Sequence, residues 1–248
     1  MAVSSDPSTV PAALAAALRA NQNAPLITYY DERLGERTEL SAVTLDNWVS
    51  KTANLLVDGA ALGPDDSVAV LLPAHWQTAA VLLGCLTAGV PVRVADAAAG
   101  PVPVDIAFAT PDRAEQARAA RPAETYLLGL APMAMPLGTV PAGALDYVVA
   151  VRAFGDRYSA APADPSGIAW YEPEPVSQTA LADRARRHAG ESRLLPGGRL
   201  LIPVDAEPDP VAWLFAPLML GASVVLVRNA GAERLDAIAA AERVTTRT

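Results

Sequence analysis

The chain has one cysteine, Cys85, and one lysine, Lys51, among 248 residues, and its two histidines, His75 and His188, lie more than a hundred positions apart. A lone cysteine excludes an intrachain disulfide, and histidines so separated form no zinc-ligand cluster, so no metal or disulfide staple is expected and a reducing compartment fits. None is needed at this length, because a chain of this size buries roughly 70–75% of its unfolded surface. The formal charge of −8 repels phosphate backbones and argues against nucleic acid as a partner. Uncharged runs such as 78–92 and 212–227 are shorter than the ~20 residues a membrane span needs, and the N-terminal segment lacks the basic start of a secretory signal. The expected protein is therefore cytoplasmic and has no membrane partner. Its basic charge is nearly all arginine, and with the alanine and proline content this suggests a GC-rich bacterial genome.

Several chemical signatures are also missing. There is no G-x-x-x-x-G-K-[ST], no G-x-G-x-x-G after a strand, no G-x-S-x-G and no H-E-x-x-H. A turn that wraps phosphate needs glycines, so that backbone amides can approach the oxygens, and usually a cation.

What is present is alternation. A helix is expected over 11–20, capped by Ser8 or Thr9, followed by a hairpin of LITYY and RTEL about the turn DERLGE. Helix 44–58, strand SVAVLL, helix 75–89 and strand VPVRVA make a βαβ unit, and DIAFAT, PDRAEQARAA and TYLLGL continue it. Residues 129–145 are Gly/Pro-rich and read as a connection, with a strand expected in DYVVAV. Strand GIAWY opens a second group: helix 177–189, strand RLLIPV, helix 210–220, strand SVVLV and helix 233–242. The pattern predicts a doubly wound, mostly parallel α/β sheet with helices on both faces and a small N-terminal hairpin. It is read as one α/β domain with two lobes, about 1–151 and 165–248.

Between strand GIAWY and its helix lie Glu172, Pro173, Glu174 and Pro175. The segment VTLDNWVSKTANLLVDGAALGPDDSVAVLLPAHWQTAAVLLGCLTAGVPVRVAD (43–96) resembles the N-terminal region of the adenylate-forming superfamily of acyl-CoA synthetases, peptide-synthetase adenylation domains and luciferases. Residues 194–245 are similar to the family segment downstream of its phosphate loop, and the register sets IAWYEPEPVSQTALADRA (168–185) where the family has a Ser/Thr/Gly-rich loop ending in Pro-Lys-Gly. The resemblance covers most of this chain but the first half of a full enzyme. It implies a scaffold whose ATP loop has been replaced, with no counterpart of the later nucleotide motifs or of the catalytic lysine. Lys51 is expected on a solvated face and stands in for neither family lysine.

These readings set the functional expectations. No catalytic residue, cofactor or metal is assigned. The leading reading is a non-catalytic relative with an interaction or regulatory role. The alternative is a binding module for acyl or aryl acids, its pocket near Trp170, Tyr171 and Glu172 at the carboxyl end of a parallel strand. An active acyl-adenylate-forming ligase ranks last, and other chemistry at Glu172 lacks a second group. His75 is expected to cap or lie at the surface, His188 to complement its helix dipole with nearby arginines, and Cys85 to be a core thiol. Trp213, Phe215, Leu218 and Met219 read as core with an exposed fringe, which would meet a protein partner or a second copy if the family's second half normally covers it.

Overall fold

A computed structural model describes residues 6–94, 102–172 and 174–247. The regular elements in chain order are α1 (Val10–Asn21), β1 (Pro25–Asp31), β2 (Glu36–Ser41), α2 (Ala42–Asn54), β3 (Val68–Leu71), α3 (Trp76–Ala88), β4 (Val92–Val94), β5 (Ile106–Ala109), α4 (Ala114–Ala119), β6 (Glu124–Leu127), β7 (Leu145–Asp146) and α5 (Tyr147–Val151). They continue with β8 (Ile168–Glu172), β9 (Glu174–Ser177), α6 (Gln178–Glu191), β10 (Arg199–Pro203), α7 (Ala216–Met219), β11 (Ser223–Arg228), α8 (Ala232–Ala241) and β12 (Thr246–Arg247). A π-helical turn follows α2 at Leu55–Gly59, and another precedes α7 at Val211–Phe215.

The residues form two compact units, one of 1–45 with 178–248 and one of 46–177. The division does not follow consecutive lobes, because β1, near the start of the chain, pairs in parallel with β11, near its end. Long-range pairing, invisible to local pattern, sets the boundary.

The first unit holds a five-stranded sheet in the order β12-β10-β11-β1-β2, with β1 and β2 antiparallel and the other pairs parallel. The expected N-terminal hairpin is thus part of this sheet. Asp31 Oδ1 accepts from the amides of Arg33 and Leu34, and Gly35 takes a φ of 65° to complete its turn. Alternation along the strands splits the sheet residues between two faces. Tyr30, Leu201, Val225 and Val227 meet Ile238 and Ala239 of α8. Helices α1, α6 and α7 pack together, and α7 contacts β11. Trp213, Phe215, Leu218 and Met219 are all buried there, at 6% exposure or less, so the expected exposed fringe is absent. Trp213 and Phe215 lie in the π-helical turn itself, and Leu218 and Met219 in α7 directly after it.

An ionic cluster closes this unit. Glu242 accepts from the Tyr30 hydroxyl at 2.6 Å, from Arg199 Nη2 at 2.6 Å and from Arg37 Nη2 at 2.9 Å, while Arg199 also reaches Thr28 Oγ1 at 2.8 Å. Burial acting alone would raise the Glu242 carboxyl, but these donors outweigh it and hold the group below its ordinary 4.5.

The second unit holds a seven-stranded sheet in the order β7-β6-β5-β3-β4-β8-β9, parallel except for β9. One face is alanine-rich: Ala69, Ala107, Ala109, Leu71 and Leu127 pack on Ala114 and Ala117 of α4. The other is aromatic, with Phe108 stacked on Tyr126 at 5.4 Å and edge-on to Tyr147 at 5.8 Å, and Trp48 meeting Tyr147 and Trp76. The expected strand DYVVAV is instead the two-residue β7 followed by the helical turn α5. Asp146 accepts from the amide of Val149 at 2.9 Å, and that cap overrides the β-branched propensity of the following valines. No helix among the described residues is long and apolar enough to cross a membrane.

Candidate functional site

The sequence predicts a strand-to-helix junction at Glu172–Pro175, but the structure has a hairpin there. β8 lies parallel to β4 through Val92↔Trp170 and Arg93↔Tyr171. β9 then pairs antiparallel outside it, with Tyr171 opposite Pro175 and Glu172 opposite Glu174. Ser177, expected to open the helix, ends β9, and α6 begins at Gln178. Pro173, which separates the two strands, lies outside the described residues. Pro175 offers no N–H, and an edge strand is where a sheet tolerates that. In a ladder, successive amides point alternately to either side of the strand and cannot converge on one anion. The two carboxylates facing each other add repulsion toward any phosphate.

The three residues proposed to line a pocket do not gather into one. Neighbouring strand residues face opposite sides of a sheet, so Tyr171 points away from the side shared by Trp170 and Glu172. Trp170 is 3% exposed and belongs to the core, while Glu172 is exposed. Tyr171 is half-buried beneath the Arg93 guanidinium, whose carbon sits 3.6 Å from the ring centroid, and Arg93 Nε donates to Ser67 Oγ at 3.3 Å. Sequence reading missed Arg93. An arginine inside the apolar strand VPVRVA was the available signal, because such a residue needs a partner to be tolerated there.

The other flagged residues have structural partners. His75 is 1% exposed and caps α3, its Nδ1 accepting from the amide of Gln77 at 3.1 Å; that nitrogen therefore carries no proton. Lys51 is not on a solvated face: its Nζ donates to the Phe154 carbonyl at 2.7 Å, and Asn54 Nδ2 donates to the carbonyls of Gly155 and Arg157 at 2.9 and 3.0 Å. His188 Nε2 lies 3.3 Å from Ser192 Oγ, and Arg184 and Arg186 pair with Asp209 and Asp183. Cys85 is fully buried, which pushes its thiol up to about 12 and leaves it inert at neutral pH. In the first unit, a crevice of about 10 Å³ between Leu26, Leu45, Leu214 and Val224 has apolar walls and room for about one water.

No family model matches the chain. A relative from Mycobacterium tuberculosis (strain ATCC 25618 / H37Rv), described as a TIGR03089 family protein, is 40% identical over 239 residues, which is 92% of this chain and 93% of the relative. The chain belongs to the TIGR03089 family. Among solved structures, this TIGR03089 member superposes on a Brucella canis acyl-CoA synthetase with a TM-score of 0.71 at 17% identity, covering 95% of its own length and 46% of the other's. It superposes on the anthranilate CoA ligase AuaEII, solved with anthranoyl-AMP, at 0.73 and 12% identity, and on coronafacic acid ligase from Pectobacterium brasiliense at 0.71 and 12%; each covers 96% of this chain and 49% of the other. The TIGR03089 chain thus spans about half the length of these structures, and its fold is that of the N-terminal half of the adenylate-forming ligases. The Mycobacterium tuberculosis relative is of similar length to this chain.

Proposed function

We propose that this protein is a non-catalytic relative of the adenylate-forming ligases that acts through interaction with another protein or a second copy of itself. The β8–β9 hairpin carries the reading. Where the register sets a phosphate loop, Glu172 faces Glu174 in an antiparallel ladder, whose amides alternate in direction and do not converge. Losing a single preorganised donor costs about 10²–10³ in rate, and here the loop and its lysine are lost together. Lys51, the one lysine, lies in α2 and is held by the Phe154 carbonyl.

The interaction half of the proposal is supported by exposed apolar side chains rather than by the Trp213 stripe. Met133 is 84% exposed, Met135 59% and Val149 59%. Arg152 Nη2 donates to the Ala134 carbonyl, which joins the methionine segment to the helical turn bearing Val149. Methionines on such a surface adapt to varied partners. The acid-binding reading loses its support, since Trp170 is core and Tyr171 faces the other side.

Calorimetry with ATP and Mg²⁺, together with a pyrophosphate-exchange assay over fatty and aryl acids, tests the proposal. No binding and no exchange are expected. Micromolar ATP affinity or exchange with any acid overturns it.

A further inference from the structure

The seven-stranded sheet reverses its winding between β3 and β5. From β3 the chain runs through α3 to β4 on one side, then returns across β3 to β5 and continues outward to β6. Helices α3 and α4 accordingly take opposite faces: α4 packs on the alanine side, and Trp76 of α3 joins the aromatic side. The loops after β3 and β5 therefore diverge, and such a reversal, at the carboxyl ends of the strands, is where open α/β sheets take their ligands.

The first turn of α3 follows β3 at that reversal, and its second residue is Gln77. This side chain is 0% exposed, yet neither its Nε2 nor its Oε1 has a hydrogen-bond partner among the described residues. The backbone is not the cause, because the Gln77 amide is already met by His75 Nδ1. Side chains in a helix lean toward its N-terminus, so the carboxamide leans back toward the first turn of α3, which is itself buried. Trp76 Nε1 is also buried without a partner, but its ring lies about 100° around the helix and packs edge-on against Trp48 at 5.4 Å. Buried polar groups are nearly always paired, and a methionine or leucine would fill the same space without the desolvation cost. A doubly unmet amide at the winding reversal has the chemistry of a recognition group: one donor and one acceptor held in place and unspent.

We propose that Gln77 is the recognition group of a small-molecule site at this reversal, and that its ligand presents a carboxamide edge, one N–H beside one C=O. That edge meets the Gln77 acceptor and donor in a single plane. Being neutral, it enters apolar surroundings without the penalty of a buried charge. A carboxylate would accept from Nε2 but set a second oxygen against Oε1. The positive end of α3 further favours the ligand's carbonyl oxygen. The site is separate from the β8–β9 hairpin and stands whether or not the chain adenylates anything.

Thermal denaturation of the whole protein with acetamide, benzamide and nicotinamide, and with acetate and benzoate for comparison, tests this. At about 100-fold over Kd, a matching amide should raise Tm by about 5–10 °C, and Gln77→Met should abolish the rise. A rise that survives Gln77→Met, or an equal Gln77-dependent rise with the carboxylates, overturns the proposal. So does no rise with any amide, whether Gln77→Met is stabilised, as for a mere packing defect, or destabilised, as for a buried water only. If that variant fails to fold, the side-chain NH₂ resonances of Gln77 in the native protein decide: movement on titration with the amides supports the site, and none overturns it.

Discussion

Gly84→Ala should destabilise the protein even though alanine is the better helix former. Gly84 lies inside α3, and a Cβ added there would sit 2.6 Å from Thr52 Cβ and 2.7 Å from its Cγ2. Thr52 cannot swing aside. Its hydroxyl donates to the Trp48 carbonyl at 2.8 Å and meets the Tyr147 hydroxyl at 2.7 Å, which ties it into the aromatic face of the seven-stranded sheet. Helix propensity favours the substitution by about 1 kcal/mol, while overpacking against a fixed neighbour costs about 1–3 kcal/mol. With Thr52 held in place the upper end of that cost applies, so a net loss of about 2 kcal/mol is expected, a fall in Tm of about 4–8 °C for a chain of this length. Gly190 in α6 is the control, since an added carbon there meets nothing within 4 Å; Gly190→Ala should be neutral or stabilise by about 0.5 kcal/mol. Urea denaturation followed by circular dichroism measures both. A Gly84→Ala protein as stable as the parent would show that α2 and α3 do not depend on that close approach.

Two further perturbations probe the polar anchors. Glu242→Gln should cost about 2 kcal/mol at pH 7, because it removes a carboxylate bonded to Tyr30, Arg199 and Arg37. The Glu242 carboxyl is depressed in the folded state, so its contribution is present above the unfolded value and is lost as pH falls through the folded one. The gap between parent and variant should therefore close below the ordinary 4.5, and an undiminished gap at pH 3 would contradict the cluster's role. Lys51→Met removes the donor to the Phe154 carbonyl and should cost about 1 kcal/mol locally, accelerating tryptic cleavage at Arg157 about fivefold; an unchanged cleavage rate would mean the loop is held by other contacts.

Local signals served the sequence reading well and long-range ones were out of reach. Thr9 does cap α1, with its hydroxyl accepting from the Ala12 amide, and the apolar runs at 68–71 and 106–109 are the buried strands β3 and β5. The reading failed at 147–151, where one aspartate cap outweighed three valines, and at the unit boundary, which a parallel pairing between the chain's two ends creates. Arg93 and Tyr171 are 78 positions apart in the sequence and meet only because β4 and β8 are neighbours in register. Gln77 was hidden for the opposite reason. In HWQT a glutamine at the start of a helix reads as solvent-facing, and its burial depends on everything packed around the turn.

Glu-Pro-Glu-Pro was expected to break a strand before a helix, since prolines and paired acids usually mark a turn. The pairing of Glu172 with Glu174 gives the motif another meaning. A phosphate loop must spend residues on a wide turn so that several amides face one anion. Closing the strands into a tight hairpin returns those amides to the ladder, and the edge proline then blunts the new sheet edge against pairing with another chain. β8 stands in register with β4, so the parallel sheet continues unbroken up to the hairpin. What holds this fold, strand pairing and the two buried faces, is thus physically separate from what an adenylating loop needs, and the fold does not depend on such a loop.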